Sequence, residues 1–168
     1  MSQLSEAVAA TLQQWGYLVE RRAEPGLLTF RWERSGGQFP VVVTVAPVGE
    51  AGTQVVIVRV VVPLRIDRDH LFPVLDAVNR INAGYPFANL MVDTVSGSNA
   101  LLTEAHLFVV DHGLEAALLR EVLELSLELA EFALPAFRAI VEEHQAPEEA
   151  LRRLVSAAPA AGSEPPVP

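Results

Sequence analysis

The chain has 168 residues, a formal net charge of −9 at pH 7 and no cysteine, and 51% of its residues are hydrophobic. This composition provides enough apolar surface for one folded domain, and the lack of cysteine excludes disulfides and thiolate metal ligands. The acidic charge argues against nucleic acid and anionic membranes as partners.

The sequence also shows no targeting or membrane-spanning segment. The N-terminal residues carry neither a basic region nor a continuous apolar run, so we predict no signal peptide. No apolar run reaches the roughly 20 residues that a membrane-spanning helix needs. We therefore expect a cytoplasmic protein that does not bind membranes.

The first third of the chain predicts one helix followed by strands. Leu4, Val8 and Leu12 recur at helical spacing, and Gly16 is a natural stop signal. Leu28, Phe30 and Trp32 alternate with polar residues at the period of two that is typical of a strand. The next two strands are predicted at Phe39–Val45 and Gln54–Val62, and a short edge strand at Tyr17–Arg22.

The segment Gln54–Val62 is apolar on both faces except at Arg59. Such a pattern is typical of a strand at the centre of a sheet whose two faces are both covered. We therefore predict that this strand is central and covered on both sides.

The middle of the chain predicts a helix that leads directly into a new strand. We expect Gly84 to end this helix with a positive φ, so that Gly84→Val would cost roughly 1 kcal/mol or more. A hairpin follows, with strands Phe87–Asp93 and Leu101–Val110 joined through Ser96–Asn99. The Gly-Ser cluster in that turn lacks the glycine pattern and lysine of a phosphate loop. The apolar face of the predicted helix consists of Leu71, Val74, Leu75, Val78 and Ile81.

The last helix is predicted to run from Asp111 or Gly113 to about His144, and Pro135 should kink it or end it early. Its apolar arc covers about 220°, which is twice the width that one core-facing side requires. Covering this surplus predicts a homodimer, because the same patch can meet itself across a two-fold axis. The candidate interface residues are Leu123, Leu127 and Leu134 on this helix, or Leu71, Leu75 and Val78 on the middle helix.

We expect residues 1–144 to form a single α+β domain. The remaining residues 145–168 are rich in Ala, Pro and Glu, and are predicted to be mostly disordered. Within them, Pro147–Val155 could form a short helix with proline in its first turn.

Several clusters of polar residues are candidates for a metal site or a catalytic site. Asp67, Asp69 and His70 could bind a divalent ion, but they also lie where a helix begins and where aspartate caps free N–H groups. His106 and His112 lack the spacing of a metal motif. Glu104 and His106 could act as acid and base, although two residues on a wet strand face are neighbours by default. We therefore predict no catalytic residues, no metal and no cofactor.

A resemblance to a known family adds to this interpretation. The helix end Val78-Asn79-Arg80-Ile81-Asn82 is similar to the LN-x-x-N helix end of the YbjN family, with valine where leucine is usual. The strand pair Phe87–Val92 and Leu101–Leu107 follows, and then a helix that ends near Leu134-Pro135-Ala136-Phe137. The resemblance spans roughly Leu4 to Ile140, and the family belongs to the type III secretion chaperone-like fold.

The resemblance implies an antiparallel sheet of five to six strands with helices in the order α-βββ-α-ββ-α. Proteins of this fold are mostly dimeric, non-catalytic protein binders, and YbjN proteins have no established biochemical activity. We therefore expect a non-enzymatic, chaperone-like or regulatory module that acts as a homodimer on an unidentified protein client. The alternative is a small-molecule-binding or hydrolytic protein whose pocket is lined by Asn79, Asn82, Tyr85, Glu104 and His106. In the simpler interpretation Asn82 ends the helix and Asn79 bonds the following loop.

Overall fold

The computed structural model describes residues 2–34, 37–49, 52–85, 88–110 and 113–157. No helix in these ranges is long and apolar enough to cross a membrane. The fold is α+β, as predicted. The helices are α1 (Gln3–Gln14), α2 (Leu71–Asn82), α3 (Ala116–Val141) and α4 (Pro147–Ala157). The strands are β1 (Glu20–Arg21), β2 (Leu27–Arg34), β3 (Gly37–Val48), β4 (Thr53–Arg65), β5 (Asn89–Asp93) and β6 (Ala100–Val109).

The six strands form one antiparallel sheet in the order β1-β2-β3-β4-β6-β5. Short turns connect β2, β3 and β4, while α2 carries the chain from β4 to the edge strand β5. The turn between β5 and β6 is a hairpin turn, as predicted, because the Asp93 carboxylate accepts the N–H groups of Val95 and Ser96 at 3.1 Å. The predicted strands and their order are therefore confirmed.

The described helices contribute to one hydrophobic core on a single face of the sheet. The buried core residues of each strand alternate along the chain, as with Val41 and Val43 on β3 and Val56, Val58 and Val60 on β4. On the opposite alternation only Val55 is buried among the described strand residues, and it lies outside that core. β4 lies inside the sheet as predicted, but the described helices cover only one of its faces, so they do not supply the predicted second cover.

Helix α3 differs from its prediction at both Pro135 and its first turn. It begins at Ala116 and continues unbroken through Pro135 to Val141. Pro135 is exposed, while Leu134 and Ala136 beside it are buried. A proline inside a helix costs about 3 kcal/mol, so we infer that the packing of these neighbours offsets the cost.

Most of the wide apolar arc of α3 is covered within the chain itself. The helix packs against β4, β5 and β6, and it also contacts α2 and α4. On a further side, the Arg120 guanidinium lies 4.6 Å from the ring centroid of Trp15, which follows α1. Intramolecular contacts therefore bury most of the apolar surface from which the dimer was predicted, although Leu118 and Phe132 remain 41% and 42% exposed.

The end of α2 is fixed by a side chain rather than by a left-handed glycine. Gly84 is absent from the glycines with positive φ, and a Cβ there would meet only the Ile81 carbonyl oxygen, at 3.8 Å. The predicted Gly84 cap is therefore wrong. Instead, Asn82 accepts the N–H of Leu90 and donates to its carbonyl, both at 2.8 Å. These two hydrogen bonds provide partners for the backbone N–H and C=O of Leu90 on the outer edge of β5, where no further strand pairs.

Helix α4 lies in the segment that was predicted to be mostly disordered. It packs against α2 and α3, and Ala150 and Leu154 are buried members of the core. The short helix at Pro147 is confirmed, but the predicted disorder does not hold for Pro147–Ala157; residues 158–168 lie outside the described ranges. Two of the described α4 side chains are buried, whereas α3 buries twelve of its residues. We therefore infer that α4 is held less firmly than α3.

Candidate functional site

The face of the sheet that faces away from the helices is the largest unoccupied surface that the described strands form. We call it the open face. Every one of its central side chains is partly or largely exposed, and six of these nine residues are apolar. The residues that define the open face are Val42, Ile57, Arg59, Val61, Met91, Leu102, Glu104, His106 and Phe108.

The polar centre of the open face joins two neighbouring strands. Arg59 on β4 lies opposite Glu104 on β6, and the Arg59 Nε donates to Glu104 Oε2 at 2.6 Å. His106 Nε2 lies 3.1 Å from the other carboxylate oxygen of Glu104. The sequence placed Glu104 and His106 on one face correctly, but it missed Arg59 as their partner. The signal was available, because Arg59 is the only polar residue in the run Val55–Val62.

Both oxygens of the Glu104 carboxylate are engaged, one by a guanidinium and one by an imidazole. His106 also makes an edge contact with Phe108 at a centroid distance of 6.4 Å. Asn89 on β5 lies opposite Glu104, and the other neighbours of the pair are mostly apolar. A shallow depression beside Arg59 is lined mainly by Val42, Val61, Met91 and Leu102.

The pocket of the alternative hypothesis is not assembled. Asn82 is engaged with the backbone of Leu90 at the sheet edge, as predicted for a helix end, and Tyr85 packs against the core. Burial raises the pKa of Tyr85, and the Glu128 carboxylate adds to that rise. Glu104 and His106 project from the open face instead. Asn79 is exposed and has no hydrogen bond to the following loop among the described contacts, so its predicted role is not supported.

The structure places most of the residues predicted for the dimer interface inside the core. Leu123 and Leu127 are 0% exposed and Leu134 is 3% exposed, because α3 lies under the sheet and the other helices. On α2, Val78 is 5% exposed, while Leu71 and Leu75 are partly buried. The three α3 leucines therefore lie in the core of the chain and do not form a contact surface, while an interface that includes Leu71, Leu75 and Val78 of α2 stays a prediction.

The predicted aspartate-histidine cluster has a structural role at the start of α2. Asp67 Oδ1 accepts the backbone N–H of His70 at 3.1 Å and lies 2.6 Å from His70 Nδ1. His70 Nε2 lies 2.8 Å from Nδ1 of His144, which follows α3. The sequence analysis missed His144, since 74 residues separate the two histidines. No group of three or more metal-binding side chains was found in the described part of the chain, and His112 lies outside it.

The Asp67 carboxylate gives a pH-dependent prediction. The side-chain hydrogen bond with His70, and then the backbone hydrogen bond, lower the pKa of Asp67 below its ordinary value. A lowered pKa in the folded state stabilises the fold above the unfolded pKa of about 3.9, and this stabilisation is lost as the pH falls through the folded pKa. Asp67→Asn should therefore have a lower melting temperature than wild type at pH 7. The difference between the two melting temperatures should shrink as the pH falls below about 4. Thermal melts across this range measure it; a gap that stays constant with pH would contradict the assignment.

Comparison with known proteins agrees with this architecture. The model of the YbjN family, described as "Putative bacterial sensory transduction regulator", matches residues 4–139. The crystal structure of "YbjN, a putative transcription regulator from E. coli" is similar with a TM-score of 0.54 and 11% sequence identity. That similarity covers 83% of this chain and 92% of the other. No curated protein matches the sequence significantly.

At 11% identity the structural likeness shows a shared fold and no more. The family match carries further, because it extends from α1 through most of α3 and includes the Asn82 helix end and every strand. The chain belongs to the YbjN family.

Proposed function

We propose that this chain is a regulatory module that acts by binding protein rather than by catalysis, and that it works as a homodimer through the open face. One observation carries the proposal: a sheet face that no described helix covers and that is largely apolar around one neutralised ion pair. The description of the family as a regulator supports the regulatory part of the proposal.

The size of the open face fits a protein interface. Its residues lie on four strands about 4.8 Å apart, and roughly ten residues of about 3.3 Å each along a strand give a face of roughly 600 Å². A standard protein–protein interface buries about 800 Å² on each partner. Apolar side chains at the centre of such a face are the usual source of its binding energy.

The charge of the open face favours a second copy over other partners. The whole chain carries a net charge of −9, so two copies repel each other over most of their surfaces. In the open face, Arg59 and Glu104 neutralise each other at 2.6 Å. Because these two charges cancel, two open faces can approach each other with less electrostatic repulsion than the acidic remainder of the surface would cause. The chaperone-like activity on a further client remains part of the proposal, since a dimer formed in this way leaves the outer sides of the helices free.

Two matched phenylalanine variants test the proposal. Phe108 on the open face is 61% exposed, and Phe72 on α2 is 80% exposed on the helical side. Light scattering behind size exclusion should give wild type twice the 18.2 kDa of one chain at tens of micromolar. Phe108→Glu should weaken the dimer by roughly 30-fold, or about 2 kcal/mol, as expected for an interface aromatic residue. Phe72→Glu should leave it unchanged.

Both variants exchange an exposed phenylalanine for the same acid, so their effects on solubility and net charge are alike. A wild-type mass of one chain would contradict the homodimer. A dimer that withstands Phe108→Glu would show that the contact lies elsewhere.

A further inference from the structure

Helix α4 occupies a position that the family match does not include. The match ends at residue 139, and α4 begins at Pro147. The helix lies against both α2 and α3, which are themselves in contact, so it fills the groove between them. The groove is therefore built from elements within the matched region, while its occupant lies outside that region.

Among the described side chains of α4, three apolar ones pack in this groove. Ala150 is 1% exposed and Leu154, one turn later, is 8% exposed, with Leu151 partly buried beside them. A small residue followed four positions later by leucine is a typical anchor pair for a helix in a groove. Exposed ion pairs add to these contacts, such as Arg153 with Glu143 at 3.5 Å, and each exposed pair contributes little stability.

A charge interaction also relates the first turn of α4 to α2, against which α4 packs. The pKa of Arg80 on α2 is raised, first by its hydrogen bond to Asp76 and further by the Glu148 carboxylate of α4. A helix that replaces α4 would therefore carry an acid in its first turn together with the alanine-leucine pair of positions 150 and 154.

The segment that joins α3 to α4 is short and is restrained at one residue. His144 has a φ of +55°, a left-handed conformation that is uncommon for residues other than glycine. Its ring is held by His70 at the start of α2, at 2.8 Å. This contact therefore ties the connection between α3 and α4 to the start of α2.

We propose that the α2–α3 groove is a binding site for an amphipathic helix of a partner protein, and that α4 occupies this site within the chain and competes with the partner. The partner helix carries a small residue and a leucine four positions apart, with an acidic first turn. This surface is separate from the open face, so it gives the protein a second partner site that α4 closes.

The absence of cysteine in the sequence makes thiol labelling a direct test. Ala150→Cys places a thiol under α4, and Ala133→Cys places one at a fully buried position in α3 that only global unfolding exposes. In the full chain, the thiol at position 150 should react roughly tenfold or more faster than the thiol at position 133, because α4 opens locally. Equal labelling rates would overturn the proposal, since α4 would then open only when the whole domain unfolds.

A peptide with the sequence of residues 147–157 serves as the partner probe. Because isolated helices of this length are marginal in water, the peptide is stapled across positions 149 and 153, which are exposed in α4. An excess of this peptide should accelerate labelling at position 150 and leave position 133 unaffected. The same peptide with Leu154→Asp is the matched control and should have no effect. No acceleration by the wild-type peptide, or equal acceleration by both peptides, would overturn the proposal.

Discussion

Gly26→Ala should lower the free energy of unfolding by about 3 kcal/mol, because the substitution combines backbone strain with a steric clash. Gly26 has a φ of +81°, and a Cβ built there would lie 2.4 Å from the Val45 carbonyl oxygen. The two strands cannot separate freely, since the Val45 N–H donates to the Gly26 carbonyl at 2.9 Å. Gly26 begins the pairing of β2 with β3, so the change should affect the whole meander.

Gly97→Ala is the matched control for this prediction. Gly97 has a similar φ of +74°, but a Cβ there has no neighbour within 4 Å. It should cost only the left-handed conformation, about 1 kcal/mol. The free energies of unfolding of the two variants, measured by urea denaturation, separate the backbone strain that both share from the steric clash that only Gly26→Ala introduces. Equal losses of stability would mean that the close approach to Val45 is absent in solution.

Asn82→Leu should destabilise the fold by roughly 2–4 kcal/mol, since leucine removes two hydrogen bonds and leaves two polar groups of Leu90 without a partner. Leu90 is 2% exposed, so water cannot easily replace the amide. The edge strand β5 should lose its link to α2, and hydrogen exchange at Leu90 should accelerate more than exchange at central strands.

Asn79→Leu provides the control, because Asn79 is on the same helix and exposed. Its effect should stay within about 0.5 kcal/mol, as for most surface substitutions. A loss of stability with Asn79→Leu that matches the loss with Asn82→Leu would contradict the role assigned to Asn82. Denaturant midpoints of the two variants, measured together, decide the point.

Much of the fold could be predicted from local patterns in the sequence. Alternation identified β2, and apolar runs bounded by turn residues identified β3, β4 and β6. Helical spacing identified α1, α2 and α3. The motif around Asn82 correctly indicated a helix end, and the family resemblance built on it was right. Periodicity records which side chains are buried, and these elements bury one regular face each.

The remaining features depend on contacts between distant residues. The run Gln54–Val62 is apolar on both faces, and a single sequence does not tell whether its second face is covered by its own helix or by another molecule. Likewise, the apolar arc of α3 is covered mostly by the sheet, α2 and α4, which no local pattern relates to it. Gly84 has the same local signature as a left-handed cap, but the hydrogen bonds of Asn82 make that conformation unnecessary.

The candidate site illustrates the same limit. Glu104 and His106 could be placed on one strand face because they are two residues apart. Their partner Arg59 is 45 residues earlier, and only the register of β4 with β6 brings it to 2.6 Å from Glu104. The α3 leucines that were predicted for the dimer interface are apolar because they pack in the core of the single chain. Burial within the chain and burial between chains produce the same residue types, so composition alone could not separate them.

Hydroxyl-radical footprinting at two protein concentrations tests the central claim most directly. Met91 and Phe108 are partly exposed on the open face, and Phe72 is exposed on the helical side. If two copies meet through the open face, Met91 and Phe108 should be oxidised markedly more slowly in the concentrated sample, while Phe72 reacts at the same rate in both. Protection of Phe72 with no change at Met91 and Phe108 would contradict the claim that the open face is the contact surface.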